Sequence, residues 1–484
     1  MKKVLYVSLS ANSWQRAALL DSAIELASSG EAKVSFLQLY QSENSLIDLP
    51  ISSFLDYSRA KWQDERIKQK MNDDLFEILP LRLGVSGRAK VLGESARKVG
   101  LEETIVKTRD SRPCDIHAEP LIAHYAERYS SFYESAKTFL EEISPDLIYV
   151  FNGRFYREKA FWQAALDLGI AVNFIERFSP NWHDRYFEFE KPVHSIAYRC
   201  EVMKVFAEDF ANTHGDTSTL EIAAKWFEDR VAGVGQNFTS KQNEVFKGSF
   251  PYSRQIVFFH SSEDELFTTD LGSSYWEDQI SFLKEFIKYL ETYPKVILIV
   301  RLHPNLAFKS PREIRRWKNF AKSVEASNVI FLMQDSPVRS YDLLKSSDCV
   351  ITFGSTIGVE ATHLKKPSFL VSRAFHEQLN VTRNVNKMHE LIEEVLEPSK
   401  ITSTKDLYKN TVPYGLFHAI GGIRFRHLTP NNRKIEQDQS FQLYGICLGT
   451  LRIISLIRRI EGALYKTLGF FARYDCNCQC FVKN

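Results

Sequence analysis

A chain of 484 residues, 44% apolar and 25% charged, is long enough for two cores with an appendage and has the balance of a globular protein. The formal net charge of +2 supplies no overall basic field, so nucleic acid is not an expected partner. Seven cysteines, odd in number and scattered until the last residues, fit reduced thiols in a cytosol and exclude a disulfide framework.

Val4–Leu9, after Lys2-Lys3, is too short for the apolar region of a secretory signal and reads as a first buried strand. Ser13–Ser29 has apolar residues at helical spacing, and Lys33–Tyr40 is a second strand. The stretch 47–119 has mixed charge and no clean period and is expected to be a helical insertion. A long helix follows over Ala123–Ile143, ending before Ser144-Pro145. Strand Leu147–Phe151, turn Asn152-Gly153-Arg154, helix Lys159–Leu168 and strand Ala171–Ile175 then form a parallel crossover. Thr217–Val231 is another helix, and the polar, Gly/Ser/Asn-rich run Gly233–Arg254 is the expected domain boundary.

The alternation then repeats. Gln255–His260, Val296–Leu302, Asn328–Met333, Cys349–Phe353 and Ser368–Val371 read as strands. Trp276–Tyr293, Pro311–Val324, Ser340–Ser346 and a segment from Thr356 read as helices, the second with Pro in its first turn. Strands such as Val296–Val300 are apolar on both faces, as a sheet covered by helices on both sides requires. The expected architecture is therefore α/β: residues 1–235 as a first Rossmann-like domain, 236–430 as a second, with a cleft between them. Residues 431–484 are expected to form a basic, amphipathic helical extension. Its stretch Leu443–Leu468 is interrupted by Arg452, Arg458, Arg459 and Lys466. Such a helix is unsuited to spanning a membrane, and either lies on a membrane surface or packs on the body of the protein.

Ligands in open parallel sheets sit where strands end. Two segments of the second half have suitable chemistry there. Arg301-Leu302-His303-Pro304 leaves a buried strand; Pro304 stops it, and His303 at the rim offers a ring N–H to a phosphate oxygen. Gly354-Ser355-Thr356 leads from another strand into a helix, combining close backbone approach, two hydroxyls and unpaired N–H groups. The bland alternative makes Ser355 or Thr356 a helix cap. Glu360 is placed to accept ribose hydroxyls or to answer the helix dipole. For a general base, the candidates at strand ends are Glu176 and the run Glu263-Asp264-Glu265. Glu176 is preferred if acceptors bind the first domain. Asn152 and Arg154 lie at the neighbouring strand end, where Arg154 serves either an anionic acceptor or the fold. The tail's Cys476, Cys478 and Cys480 lack a fourth ligand and carry no metal assignment.

His303-Pro304, Asp335, Leu343-Leu344, Ser347-Asp348, Thr352–Thr356, Gly358, Glu360-Ala361 and Lys366-Pro367 together resemble the capsule and surface-polysaccharide glycosyltransferases of the GT-B fold. The likeness covers about 255–371 and is closest to the His-Pro and Ser/Thr motifs of bacterial sialyltransferases and capsular Kdo transferases. It implies that His303 and Ser355-Thr356 contact the nucleotide phosphate of a sugar donor, CMP-linked by analogy. The acceptor would be a polysaccharide or lipid-linked glycan, with no cofactor; the sequence itself, having no DxD pair at a strand end, requires no metal. The cysteine pattern and the lack of a secretory signal lead to the expectation of a cytoplasmic enzyme, and the tail adds the alternative of peripheral contact with the inner face of the membrane. The acidic motif that supplies the base in sialyltransferases has no counterpart here. Two rival readings are a non-hydrolysing sugar-nucleotide epimerase and a non-catalytic GT-B-like assembly protein.

Overall fold

Strands apolar on both faces, alternating with helices, have one stable arrangement: a parallel sheet layered between them. Here it occurs twice. The computed structural model describes residues 1–9, 13–39, 61–71, 74–80, 93–177, 184–234, 244, 252–269, 275–396, 404–430, 441–443 and 446–447.

The first sheet contains β1 (Lys2–Ser8), β2 (Ala32–Gln38), β3 (Phe76–Pro80), β4 (Leu147–Phe151), β5 (Ala171–Arg177) and β6 (Arg185–Phe189). Strands β3-β2-β1-β4-β5 run parallel in that order, and β6 closes the far side antiparallel to β5. The second contains β7 (Arg254–Phe259), β8 (Val296–Arg301), β9 (Val329–Leu332), β10 (Cys349–Thr352), β11 (Ser368–Leu370) and β12 (Arg383–Asn384). All six run parallel, in the order β9-β8-β7-β10-β11-β12. Each sheet thus starts in its middle, grows to one side and reverses to the other, which is the Rossmann order. Every residue of β8 and of β10 is buried. Each sheet has a separate apolar cluster on either face.

The stretch expected to be a helical insertion is more structured than that. Its described part contains the edge strand β3, paired with β2 through Val34 opposite Phe76, and helix Glu94–Thr108. Phe76 and Ile78 alternate into the core, a period that two pairs of residues are too few to announce. The long helix starts at Asp115 rather than Ala123 and accommodates Pro120 near its beginning. Helix Ile196–His214 and strand β6 were not read from the sequence at all.

The chain does not stay with the second sheet up to residue 430. Helix Thr404–Ile420 packs against helices Ile196–His214 and Asp216–Val231, and β13 (Ile423–Arg424) adds to the first sheet beside β6. Tyr414 and Phe417 bury in the first sheet's core, Phe417 stacking on Phe187 with ring centres 4.5 Å apart. Gly415 makes the helix crossing possible, since a Cβ there would lie 2.6 Å from the Phe227 ring and 3.0 Å from the Ala223 carbonyl. A small antiparallel sheet follows, of β14 (Leu428–Pro430), β15 (Phe441–Leu443) and β16 (Ile446–Cys447). Leu443, expected to begin the tail helix, is fully buried in the first domain's other core cluster. The rest of that stretch and Cys476, Cys478 and Cys480 lie outside the described residues, as does most of the Gly233–Arg254 run. Among the described residues no helix is long and apolar enough to cross a membrane, and no cluster of metal-ligating side chains occurs.

Candidate functional site

The strand orders reverse between β1 and β4 in the first sheet and between β7 and β10 in the second. At such a point neighbouring loops leave in opposite directions and open a crevice. The turn after β4 is Asn152-Gly153 and the turn after β10 is Gly354–Thr356, so both sequence motifs fall at these crevices.

Gly354 adopts φ +91°, a backbone conformation that side chains disfavour. Thr356 is the first flanking residue of helix Ile357–His363, yet makes no capping bond. Its side chain is hydrogen-bonded to Tyr414 instead. Ser355 Oγ accepts only a long contact from the Ile357 N–H, at 3.5 Å. The hydroxyls are therefore not committed to capping. The helix has only seven residues, so its dipole adds little. What the turn offers an anion is its own amides and hydroxyls.

His303 reaches this turn through a relay. Its backbone N–H donates to His260 Nδ1 at 3.2 Å; the next residue, Ser261, donates from Oγ to the carbonyl of Phe353, just before Gly354. His303 Nδ1 accepts from the Asn305 N–H at 3.0 Å. Burial, with Lys309 and Arg301 nearby, pushes the His303 ring down to about 4. At neutral pH His303 is thus uncharged with its proton on Nε2, a hydrogen-bond donor rather than a cation.

The other proposed contacts of this half are committed elsewhere. Arg301 is 2% exposed and donates to the carbonyls of Met333 (2.7 Å) and Ser336 (3.3 Å), bracing the loop after β9 instead of lining the cradle. Glu360 is buried, accepting from Arg230 Nε at 2.8 Å and from the Tyr341 hydroxyl at 2.6 Å, so both oxygens are engaged within the fold. A buried carboxylate demands such partners, and the fold supplies them from helix Asp216–Val231. Glu263 takes the Gln279 N–H at 2.7 Å and Arg316 at 2.8 Å; Asp264 is paired with Lys309 at 2.6 and 2.8 Å. Glu265 is exposed. Pro304 begins the short helical turn Pro304–Phe308 that ends the strand exit.

On the opposite wall, Asn152 (φ +58°) and Gly153 (φ +74°) make a left-handed turn. A Cβ on Gly153 would lie 2.7 Å from the Phe174 ring, so glycine is required by space as well as by conformation. The turn aims Asn152 Nδ2 at Glu176 Oε2, while Glu176 Oε1 accepts the Arg177 N–H at 2.6 Å. Asn152 Oδ1 is hydrogen-bonded to His194 Nε2 at 3.0 Å. Burial raises the Glu176 carboxyl to about 7, against the lowering effects of the Arg177 N–H, Arg199, Asn152 and Arg154. Burial likewise depresses His194 to about 3, keeping it neutral. Arg154 spans the two halves: its Nε donates to Thr268 Oγ1 at 3.0 Å and its Nη2 to the Asp264 carbonyl at 3.4 Å.

The walls meet around Arg199 and Phe375. Arg199 lies over the Phe375 ring at 4.7 Å, and the His194 ring is 5.9 Å from it. Cys200 and Lys204, on the same helix as Arg199, bond the carbonyls of Phe375 (3.1 Å) and Gln378 (3.0 Å). Charge coupling links Arg199 to Glu176 on one side and to Tyr414, the partner of Thr356, on the other. The structure thus pairs Asn152 with Glu176 at one crevice and sets the Gly354–Thr356 turn at the other, linked through Arg199 and Tyr414, and leaves Arg301, Glu360, Glu263 and Asp264 as framework. His194, Arg199, His376 and Tyr414 were missed. No motif marks them.

Residues 212–412 match the family described as capsule polysaccharide biosynthesis proteins, which bears out the resemblance read from the sequence. No curated protein sequence matches the chain. Among solved structures it is similar to a UDP-GlcNAc 2-epimerase of Neisseria meningitidis, at 14% identity and a TM-score of 0.30, over 87% of this chain and 97% of that one. It is also similar to a β-Kdo 2,4-transferase of Thermosulfurimonas dismutans, at 14% identity and a TM-score of 0.36, over 55% and 79%. A β-Kdo 2,7-transferase of the same organism matches at 13% identity and 0.33, over 68% and 90%.

Proposed function

We propose that the protein is a glycosyltransferase that moves a sugar from a nucleotide donor to a surface or capsular polysaccharide acceptor. The observation that carries this reading is a half-buried carboxylate of raised pKa, Glu176, at the strand-order reversal of the first sheet, together with a glycine-hydroxyl turn at the reversal of the second. The capsule-synthesis match over 212–412 supports the same class.

The donor phosphate would lie on the Gly354–Thr356 turn, with His303 Nε2–H as a further donor. As the glycosidic bond to phosphate lengthens, positive charge develops on the sugar ring and negative charge on the departing phosphate. Preoriented amides, hydroxyls and a neutral imidazole N–H stabilise that charge without reorganising. The acceptor hydroxyl attacks the anomeric carbon and gives its proton to Glu176. A carboxyl near 7 is matched to this task at physiological pH: enough is ionised, and it is a stronger base than an ordinary glutamate. Asn152 and the Arg177 N–H keep its oxygens oriented.

The test is a panel of CMP-, UDP- and GDP-linked sugars, offered with and without capsular oligosaccharides, with free nucleotide as the readout. Acceptor-dependent nucleotide release with an elongated glycan is expected. An isomerised sugar still attached to its nucleotide, formed without acceptor, would establish the epimerase reading instead. Failure to bind any nucleotide would point to an assembly protein.

A further inference from the structure

Most cations at the junction of the two halves have an anionic or carbonyl partner. Arg154 reaches Thr268 and Asp264, Arg112 pairs with Glu277, Arg230 with Glu360 and Arg316 with Glu263. Arg199 does not. Its Nε is buried and unbonded, and its guanidinium makes no ion pair or side-chain hydrogen bond among the described residues. The charges that act on it are Glu176, Tyr414 and Cys200. Glu176 already accepts from Asn152 and Arg177, while burial pushes Tyr414 up to about 12 and keeps it neutral. The position is half-buried, with one face of the guanidinium against Phe375 and burial pulling its pKa down.

A second unanswered group sits in the same neighbourhood. His376 is 1% exposed, and its Nε2 has no hydrogen-bond partner. It follows Phe375 directly and packs edge-on against Tyr414, with ring centres 6.3 Å apart. A half-buried guanidinium whose buried Nε lacks an acceptor, and a buried imidazole nitrogen without a partner, are both unfavourable. Each is accounted for if something that is not protein brings acceptor oxygens between the walls. Arginine's flat fork of N–H groups matches two oxygens of one oxyanion.

We propose that Arg199, together with His376 in the segment on which Arg199 packs, is a binding site for an oxyanion of the substrate, facing the Gly354–Thr356 turn from the opposite wall. The oxyanion is either a phosphate of the donor or the carboxylate of an acidic sugar, and this assignment rests on the reading of the cleft as a nucleotide-sugar site. Because Arg199 belongs to the first half and the turn to the second, one anion held by both ties closure of the cleft to donor binding.

The test uses the full chain with Arg199→Met and Arg199→Lys. Without ligand, Arg199→Met keeps its fold, and its thermal midpoint equals or exceeds that of the wild type, because a desolvated unpaired charge has been removed. In calorimetry with CMP, cytidine, a uronic acid and the corresponding neutral sugar, the variant binds the relevant anionic probe about 10–100-fold more weakly. The neutral member of that pair is unaffected, and Arg199→Lys falls between. Selective loss with CMP assigns the phosphate; selective loss with the uronic acid assigns the carboxylate. A lowered midpoint or failure to fold would make Arg199 structural and overturn the proposal. So would unchanged affinity for both anions. If anions bind as described but no sugar is transferred, the glycosyltransferase reading fails while the oxyanion site stands.

Discussion

Replacing Glu176 by Gln should separate the chemistry of the site from its stability, in opposite directions. Gln keeps the shape and accepts the Asn152 hydrogen bond but cannot take a proton. Turnover should fall ~10²–10⁴-fold, the usual worth of a general base, with donor affinity retained. The folded carboxyl, at about 7, lies above its ordinary 4.5. Between those values the folded state holds a proton that the unfolded state has released, so folding stability from this group falls as pH rises from 4.5 to 7. At 1.36 kcal/mol per pH unit the loss is about 3 kcal/mol, complete above pH 7. Urea denaturation of wild type and Glu176→Gln at pH 5 and pH 8 measures it. The wild type should lose about 3 kcal/mol relative to the variant between the two pH values. The rate of the wild type should also rise through pH 7, since only the ionised carboxylate accepts a proton. Parallel stability differences at the two pH values, or a variant with near-normal turnover, would refute the assignment.

His303→Ala and Ser355→Ala should each keep the fold and weaken nucleotide binding roughly 10–100-fold in calorimetry, the worth of a hydrogen bond to a charged group. Glu360→Gln should act differently, leaving Arg230 without its counter-ion and lowering stability by about 3 kcal/mol in urea denaturation. Truncation after Cys447 retains the buried Leu443 and should leave a folded protein. It removes the stretch carrying Arg452, Arg458, Arg459 and Lys466, and so should abolish co-sedimentation with anionic vesicles if that segment lies on membranes.

Local sequence determined the alternation of strands and helices wherever a run of apolar residues was long or strictly periodic. The five apolar residues Val296–Val300 of β8, Pro311 opening its helix, and the crossover from Leu147 to Ile175 were legible because short-range sterics and burial act on neighbouring residues. The turns Asn152-Gly153 and Gly354–Thr356 were legible too, since glycine at a strand exit marks a conformation other residues resist. Tertiary structure decided what those strand ends face. Arg301 and Glu360 have the residue types of a phosphate and ribose site, yet burial forces them onto Met333, Ser336, Arg230 and Tyr341. Arg199, in a helix with no motif, is left without an acceptor because a first-half helix docks on Phe375 of the second. Whether a polar side chain is framework or site depends on which distant groups answer its charge, and only the packed fold sets those distances.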